Sequence, residues 1–286
     1  MYTSGQMNLK FCMTYQSGVP SAIRAQGYRV QQMNQDNKYV GMIRFLFIIL
    51  ISIPEILNSQ TKKIHIKYLN VRSPIANVYE DLYTDGLNVL SKQDGNIMFS
   101  DGKKGKIQKD FYFISKINPR DENKDFFYTQ YLENEGDFFI HDNVPDIIWA
   151  IDYKTSKKIL GYECFKATTV FRGSSVTAYF TKEIPYPIGP FKFYGLPGTI
   201  LDVRVDSKDY DIWKAISVDL NDKTKIDFNP QFKTFTKIQV QDYIQLKDEK
   251  ENQYMNNAQV AGSTGKIVTV RPHLEKTFEW EEKPSH

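Results

Sequence analysis

The chain has 286 residues, 41% of them hydrophobic and 25% charged, with a formal net charge of +3. This composition excludes an intrinsically disordered chain, and two cysteines exclude both a disulfide scaffold and a Cys-rich zinc module. No apolar run approaches the ~18 residues of a spanning helix, which excludes a multi-span helical membrane protein.

Residues 1–41 are rich in Gln, Asn, Ser and Gly without a sustained apolar period. They read as an upstream segment, either never made or a disordered tail. Residues 42–59 have the layout of a secretory signal peptide: Arg44 gives a basic start, Phe45 to Ile53 an apolar core, and Asn58-Ser59 small residues before a cleavage point. Pro54 and Glu55 cut the run short of a span. The expected mature protein is one domain, residues 60–286, located in the periplasm or cell envelope. The first 59 residues hold five Lys or Arg and two Asp or Glu, so the net +3 lies wholly within them. The neutral remainder lacks the basic footprint of a nucleic-acid binder. Lys103-Lys104-Gly105-Lys106, beside Asp101-Gly102, reads as a solvated turn. Cys12 falls upstream, which leaves Cys164 as an odd thiol in an oxidising compartment.

From Gln60 onward, short strands alternate with turn signals. Aromatics at 14% of the chain strengthen that reading, because large rings favour strands. The pattern predicts a mainly β protein, an antiparallel curved sheet, sandwich or open barrel, with one helix in the C-terminal half. Thr61 to Val71 sets Ile64, Ile66 and Tyr68 against Lys63, His65 and Lys67, the period of a half-buried strand. Further strands are expected over 96–100, 109–117, 126–131, 138–140, 147–153 and 156–160. Tyr162 to Phe171 and Ser175 to Thr181 form a hairpin about Arg172-Gly173-Ser174, and residues 201–205 pair with 211–220. Thr236-Lys-Ile-Gln239 fits a capping box opening a helix, with Ile238, Tyr243, Ile244 and Leu246 as its apolar stripe. Lys266 to Val270 offers a last strand, and Glu279 to Lys283 a solvated end.

The densest distinctive stretch runs from Ile159 to Val205. Pro185, Pro187 and Pro190, with Gly189, hold one segment extended and outside any ladder. Gly195-Leu196-Pro197-Gly198 has the chemistry of a type II turn. Tyr186, Phe191, Phe193 and Tyr194 place four rings on this rigid loop. Such a loop is either a packed crossing between sheets or a preformed binding rim. The candidate binding residues are therefore Tyr186, Phe191, Phe193, Tyr194, Gly195, Leu196, Pro197 and Gly198. Trp149 joins them as a ring that stacks on a ligand or fills the core. Arg172 joins them as a hairpin-tip cation that holds an anion or is solvated.

These residues carry a resemblance. GYxCxKA from Gly161, AxFT-x-EIP from Ala178, GP-x-KF from Gly189 and GLPGTI from Gly195 resemble the GLPGLI family of exported Bacteroidetes proteins. The chain departs from that pattern at Thr199, where the name peptide has Leu. It also has Tyr179 where a Trp is expected, and Phe191 at a position often held by Trp. The resemblance covers roughly Trp149 to Val205. It implies export and a β-rich domain, but no catalytic residue, since the family's biochemical function is unknown. The proximity of some members to peptide natural-product genes points toward peptide export or processing.

Other chemistry is sparse. His65, His141, His273 and His286 have no metal-ligand spacing, so neither a metal nor another cofactor is expected. Cys164 with His141 is the one nucleophile and base to consider. A buried, inert thiol is the competing reading, and nothing nearby suggests the electropositive setting that activates a cysteine. Asp142, Asp146, Glu183 and Asp202 read as surface or turn groups. Two functions follow. The first is non-catalytic binding of an apolar, lipid or peptide ligand or of an envelope partner. The second is a peptide-processing hydrolase of the periplasm.

Overall fold

The computed structural model describes residues 62–99, 101–106, 110–117, 123–257 and 271–281. The upstream segment, the leader, Cys12 and the strand expected over 266–270 lie outside the described residues. Among those residues there are thirteen strands: β1 (Ile64–Ser73), β2 (Ala76–Thr84), β3 (Asn88–Phe99), β4 (Lys104–Lys106), β5 (Phe111–Lys116), β6 (Asn123–Leu132), β7 (Gly136–Pro145), β8 (Ala150–Ile159), β9 (Tyr162–Phe171), β10 (Ser174–Thr181), β11 (Thr199–Val205), β12 (Ile212–Asp219) and β13 (Thr236–Gln239). One helix, α1 (Val240–Asn257), follows directly. Among the described residues, no helix is long and apolar enough to cross a membrane.

The strands form one open mixed sheet in the order β13-β7-β6-β5-β3-β2-β1-β12-β11-β10-β9-β8, with β4 added to β3. Most consecutive strands pair antiparallel, though β7 and β8 stand at opposite ends of the order, and β13 lies parallel to β7. The mainly β class and the single late helix are as the sequence predicts. The alternation read in β1 holds: Ile64, Ile66 and Tyr68 are buried.

Several local expectations change. Sequence periodicity misses β2 because Glu80 sits between Val78 and Leu82 on the inward face and breaks the apolar period. The two strands expected over 147–160 are one, β8, with a register shift between Asp152 and Ser156. Asp152 turns the backbone there by accepting from the Lys154 amide at 2.9 Å and the Thr155 hydroxyl at 2.6 Å. Thr236 to Gln239 does not open the helix. These residues add a short strand to the edge of β7, where Ile238 packs on the core, and α1 begins at Val240. Lys104 to Lys106 extends the sheet as β4 rather than forming a plain turn.

The sheet curls round the loop that joins β10 to β11. Strands β7 and β9 stand far apart in the sheet order, yet Val144 of β7, Phe171 of β9, and Ile184, Ile188, Phe193 and Leu196 of the loop share one apolar core. A second cluster packs Phe113, Tyr128, Phe138 and Ile140 against Val240 and Tyr243 of α1. The loop itself is built on short proline-centred turns. Amide-to-carbonyl bonds from Tyr186 to Ile184, Ile188 to Tyr186 and Gly198 to Leu196, at 2.8, 2.8 and 2.7 Å, each span one proline. These are three-residue turns, which suit the fixed φ of Pro185, Pro187 and Pro197. The type II turn expected at Gly195 to Gly198 is therefore not formed, because the Gly198 amide that would close it on Gly195 donates to Leu196 instead. Thr199 is buried, and its hydroxyl donates within 3.1 Å of the carbonyls of both Ile184 and Tyr186. That polar closure of the loop's neck gives Thr a purpose where the resemblance has Leu.

Gly198 is the steric key to the loop. Its φ is +154°, and a Cβ there would lie 2.0 Å from the Thr181 carbonyl oxygen. Backbone cannot yield that distance without unpairing the start of β11. Gly198→Ala is expected to cost about 3 kcal/mol or more. Gly136→Ala, at φ +96° with no atom within 4 Å of the added carbon, should cost only about 1–2 kcal/mol. Urea denaturation of the two variants measures the difference, and equal losses would refute this role for Gly198.

Candidate functional site

Tyr194, Gly195, Leu196 and Pro197 wall a cavity of about 1030 Å³, with the ends of β5 and β6 opposite and Asp227 to Asn229 at its mouth. Leu196 is fully buried behind the wall, while Gly195 and Pro197 are exposed. Tyr194 anchors the wall. Its hydroxyl reaches the carbonyls of Val144 and Pro145 at 3.0 and 2.9 Å, and its own carbonyl accepts from Trp149 Nε1 at 2.8 Å. Burial and the nearby Asp146 raise the Tyr194 phenol well above its usual value, so it stays protonated. Trp149 thus clamps the loop from behind.

The other loop rings face away from the cavity. Phe193 is buried against Phe171 and Trp213. Phe191 stacks on Trp213 with centroids 5.6 Å apart. It holds a left-handed φ of +55°, an unusual state for a bulky residue. Glu80 stabilises it. This fully buried carboxylate accepts from the Phe191 amide at 3.0 Å, Trp213 Nε1 at 3.0 Å, Ser91 Oγ at 2.5 Å and Gln93 Nε2 at 3.1 Å. Tyr186 packs over Gly86 at the start of β3. Of the candidate residues, then, Tyr194 to Pro197 line the cavity, Trp149, Phe191, Phe193 and Gly198 support them, and Tyr186 packs at the side.

Arg172 stands elsewhere. The hairpin is as expected, with φ of +41° at Arg172 and +79° at Gly173, but the cation is neither solvated nor free. Its guanidinium grips Asp142 of β7 bidentately, with both bonds at 2.7 Å, and also bonds Glu275 and Glu279. Lys192 of the loop reaches Asp142 at 2.7 Å and Glu275 at 2.9 Å. Asp142, Arg172 and Lys192 have side chains at most 1% exposed. Asp142 is therefore no surface group, whereas Glu279 bonds Arg172 and stays exposed, as expected. Asp202 is likewise buried, with Lys157 at 2.8 Å and Arg204 at 3.0 Å. Glu183 is exposed, as expected.

Sequence reasoning missed Lys124 of β6, which faces the cavity 4.9 Å from the Tyr194 ring centroid and 5.2 Å from that of Phe126. Among the described residues, no carboxylate pairs with it. Burial alone lowers its amine to about 8. The signal was parity: Lys124 shares the inward phase of Phe126 and Tyr128, both buried. Asp125 and Asp146 also border the cavity. Asp125 is held by His141 at 2.7 Å and Asn143 at 2.9 Å.

Cys164 is fully buried on β9, its thiol donating to the Tyr162 carbonyl at 3.6 Å. Burial pushes its thiol up to about 12. His141 bonds Asp125 and stacks on Phe127, and among the described residues no hydrogen bond joins it to the thiol. This geometry removes the Cys164 version of the hydrolase. Among the described residues, no group of three or more His, Cys, Asp or Glu side chains gathers to hold a metal.

Residues 171–202 match the family model described as a protein of unknown function (Porph_ging), which spans the β10 hairpin and the whole loop. No curated protein matches the chain. Two structures of PNGF-II, in space groups P21 and C2, share 15% and 16% identity over 65% of this chain, with TM-scores of 0.44 and 0.43. The chain spans about a third of the length of PNGF-II, 33% and 32% in the two cases. An uncharacterized conserved protein from Thermus thermophilus shares 11% identity over 66% of this chain and 99% of its own, with a TM-score of 0.34.

Two outcomes follow from the buried charges. Burial alone would raise the Asp142 carboxyl, but Lys192 and Arg172 hold it at about 2, below its ordinary 3.8. Its contribution is therefore complete above about pH 5 and is lost as pH falls from about 4 toward 2. Asp142→Asn should cost about 3–5 kcal/mol at pH 7, because two cations stay buried beside a neutral amide. It should also flatten the acid limb of stability against pH, and an unchanged acid limb would refute the assignment. A thiol reagent should modify Cys164 only after denaturation, read by peptide mass mapping so that Cys12 is scored apart; rapid modification of Cys164 in the folded protein would contradict its burial.

Proposed function

We propose that the protein is an exported envelope protein of the GLPGLI type that binds a peptide without transforming it. The observation carrying this reading is that the first three residues of the peptide giving the family resemblance, Gly195 to Pro197, form with Tyr194 one wall of a cavity of about 1030 Å³. That volume is at the upper end for ligand sites. The walls mix apolar groups, among them Ile114, Phe127 and Leu196, with Lys124, Asp125 and Asp146. Such alternation suits a peptide, which offers both side chains and backbone carbonyls, better than a purely apolar lipid. The interior behind the loop is filled by Ile188, Phe193 and Leu196, so the site is this outer cleft and not a hollow core. The leader motif over 42–59 and the resemblance support export.

Lys124 carries the chemistry. A desolvated ammonium over an aromatic ring, without a carboxylate partner, costs stability until an acceptor arrives. A ligand carbonyl or carboxylate supplies one. The hydrolase alternative has lost its nucleophile at Cys164, and no observation restores one.

Native mass spectrometry of the protein isolated from the envelope of its host tests the reading. A co-purifying peptide mass is expected, and Lys124→Met should lose it. The amine at about 8 is below its unfolded value near 10.4, so the charged form is disfavoured on folding at neutral pH. Lys124→Met should therefore stabilise the apo protein, by about 1–2 kcal/mol at pH 7 and less as pH rises through 8 to 10. A ligand-free wild type, or a Lys124→Met variant that keeps its ligand, would overturn the proposal.

A further inference from the structure

The loop cavity opens where the β5–β6 ladder ends. That pairing runs only from Phe113 and Tyr128 to Ser115 and Phe126. Beyond it, β3 still holds β5 at Lys116, and β7 still holds β6 back to Asn123. Lys116 and Ile117 therefore stand across from Lys124 and Asp125 without a ladder between them, and all four line the cavity.

The charges lining the cavity are sorted by exposure. Lys124 is half-buried, its ammonium 4.9 Å from the Tyr194 ring centroid and 5.2 Å from that of Phe126. Lys116, the other lining lysine, is exposed. So are the three lining carboxylates, Asp125, Asp146 and Asp227. Among the described residues, none of these three forms an ion pair with a lysine or arginine. Asp125 is bonded to His141 and Asn143, Asp146 lies 3.5 Å from the Tyr194 hydroxyl, and Asp227 accepts from the Asn229 amide at 2.9 Å. The bonds from Asn143 and His141 hold the Asp125 carboxyl below its ordinary range, so it is ionised at neutral pH. The cavity thus presents one cation among rings within an acidic rim.

We propose that the cleft takes the C-terminal end of a basic peptide, with the terminal carboxylate on Lys124 Nζ and the lysine or arginine side chains that precede it at the Asp125, Asp146 and Asp227 rim. The inference rests on the peptide-binding reading above and adds the polarity and charge of the ligand. A hydrogen bond from an ammonium to a carboxylate is about twice as strong as one between neutral groups, so Lys124 favours an anionic end over a backbone carbonyl. The rim opposes any further negative charge and attracts positive charge. An acidic peptide would satisfy Lys124 and be repelled at the rim. A basic peptide without a free terminus would satisfy the rim and leave Lys124 with a neutral acceptor. The C-terminal carboxylate is the one anion that a wholly basic peptide brings.

The probes are hexapeptides of alternating lysine and leucine that end on leucine and carry fluorescein on the N-terminus, one a free acid and one a C-terminal amide. A third replaces the lysines with glutamates and keeps the free acid. Fluorescence anisotropy on the intact protein should show the basic acid bound, with the amide and the glutamate peptide each weaker by about tenfold or more. The amide is the more cationic peptide, so attraction to the rim alone would favour it over the acid. A preference for the acid is therefore a signal that only a carboxylate site gives. Lys124→Met should abolish that preference, and Lys124→Arg should keep it. Asp227→Asn, on an exposed residue, should narrow the gap between the basic and the acidic peptide. Equal binding of acid and amide, or an undiminished preference in Lys124→Met, would overturn this inference and leave peptide binding standing. No binding of any of the three at millimolar protein would overturn the peptide reading itself.

Discussion

The contact between Asp142 and its two cations holds the two ends of this sheet together. Asp142 belongs to β7, Arg172 to the turn after β9, and Lys192 to the loop between β10 and β11. Those three pieces are remote in the ladder, and no backbone pairing joins them. An open sheet that curls around a loop needs something to fix how far it curls. Apolar packing is non-directional and sets only the approximate closure. A bidentate Arg–carboxylate pair sets position and angle together. Glu275 completes the charge balance and draws the segment 271–281 over the same spot, where the Lys276 and Thr277 amides donate to the Arg172 carbonyl.

Glu80 performs the equivalent task on the other side of the loop. Its four donors come from β3, β12 and the loop backbone at Phe191. Between these two carboxylates the loop is held at Phe191 and at Lys192, consecutive residues pulled to opposite partners. That explains how a bulky residue keeps a left-handed conformation: both of its backbone neighbourhoods are over-determined. The cavity wall at Tyr194 to Pro197 follows directly along the chain and inherits that rigidity. A cavity wall built this way is already formed, so little ordering entropy would oppose the binding we propose.

Much of the architecture was legible in the sequence, because apolar alternation survives wherever the inward residues are apolar. Strand β1, the β9–β10 hairpin and the β11–β12 pair all read correctly on that ground. The reading failed wherever a charge occupies an inward position. Glu80 hid β2, Asp142 looked like a surface group although it shares the phase of Phe138 and Ile140, and Lys124 was passed over although it shares that of Phe126 and Tyr128. The loop was recognisable from its prolines, glycines and rings, but their division of labour was not. Which ring supports and which lines the cavity depends on contacts with Trp149 and Trp213, residues distant in sequence.

The buried charges therefore fall into two kinds, and the distinction separates scaffold from site. Asp142, Arg172, Lys192 and Glu80 are saturated by partners within the chain, so their energy is committed to shape. Lys124 is half-buried over the Phe126 and Tyr194 rings, and among the described residues no carboxylate pairs with it. Selection for stability alone would replace such groups with apolar ones at a gain. The place of Lys124 on the cavity wall beside apolar surface fits the peptide site we propose. By the same test Cys164, sealed among apolar neighbours with its thiol fully protonated, belongs to the scaffold.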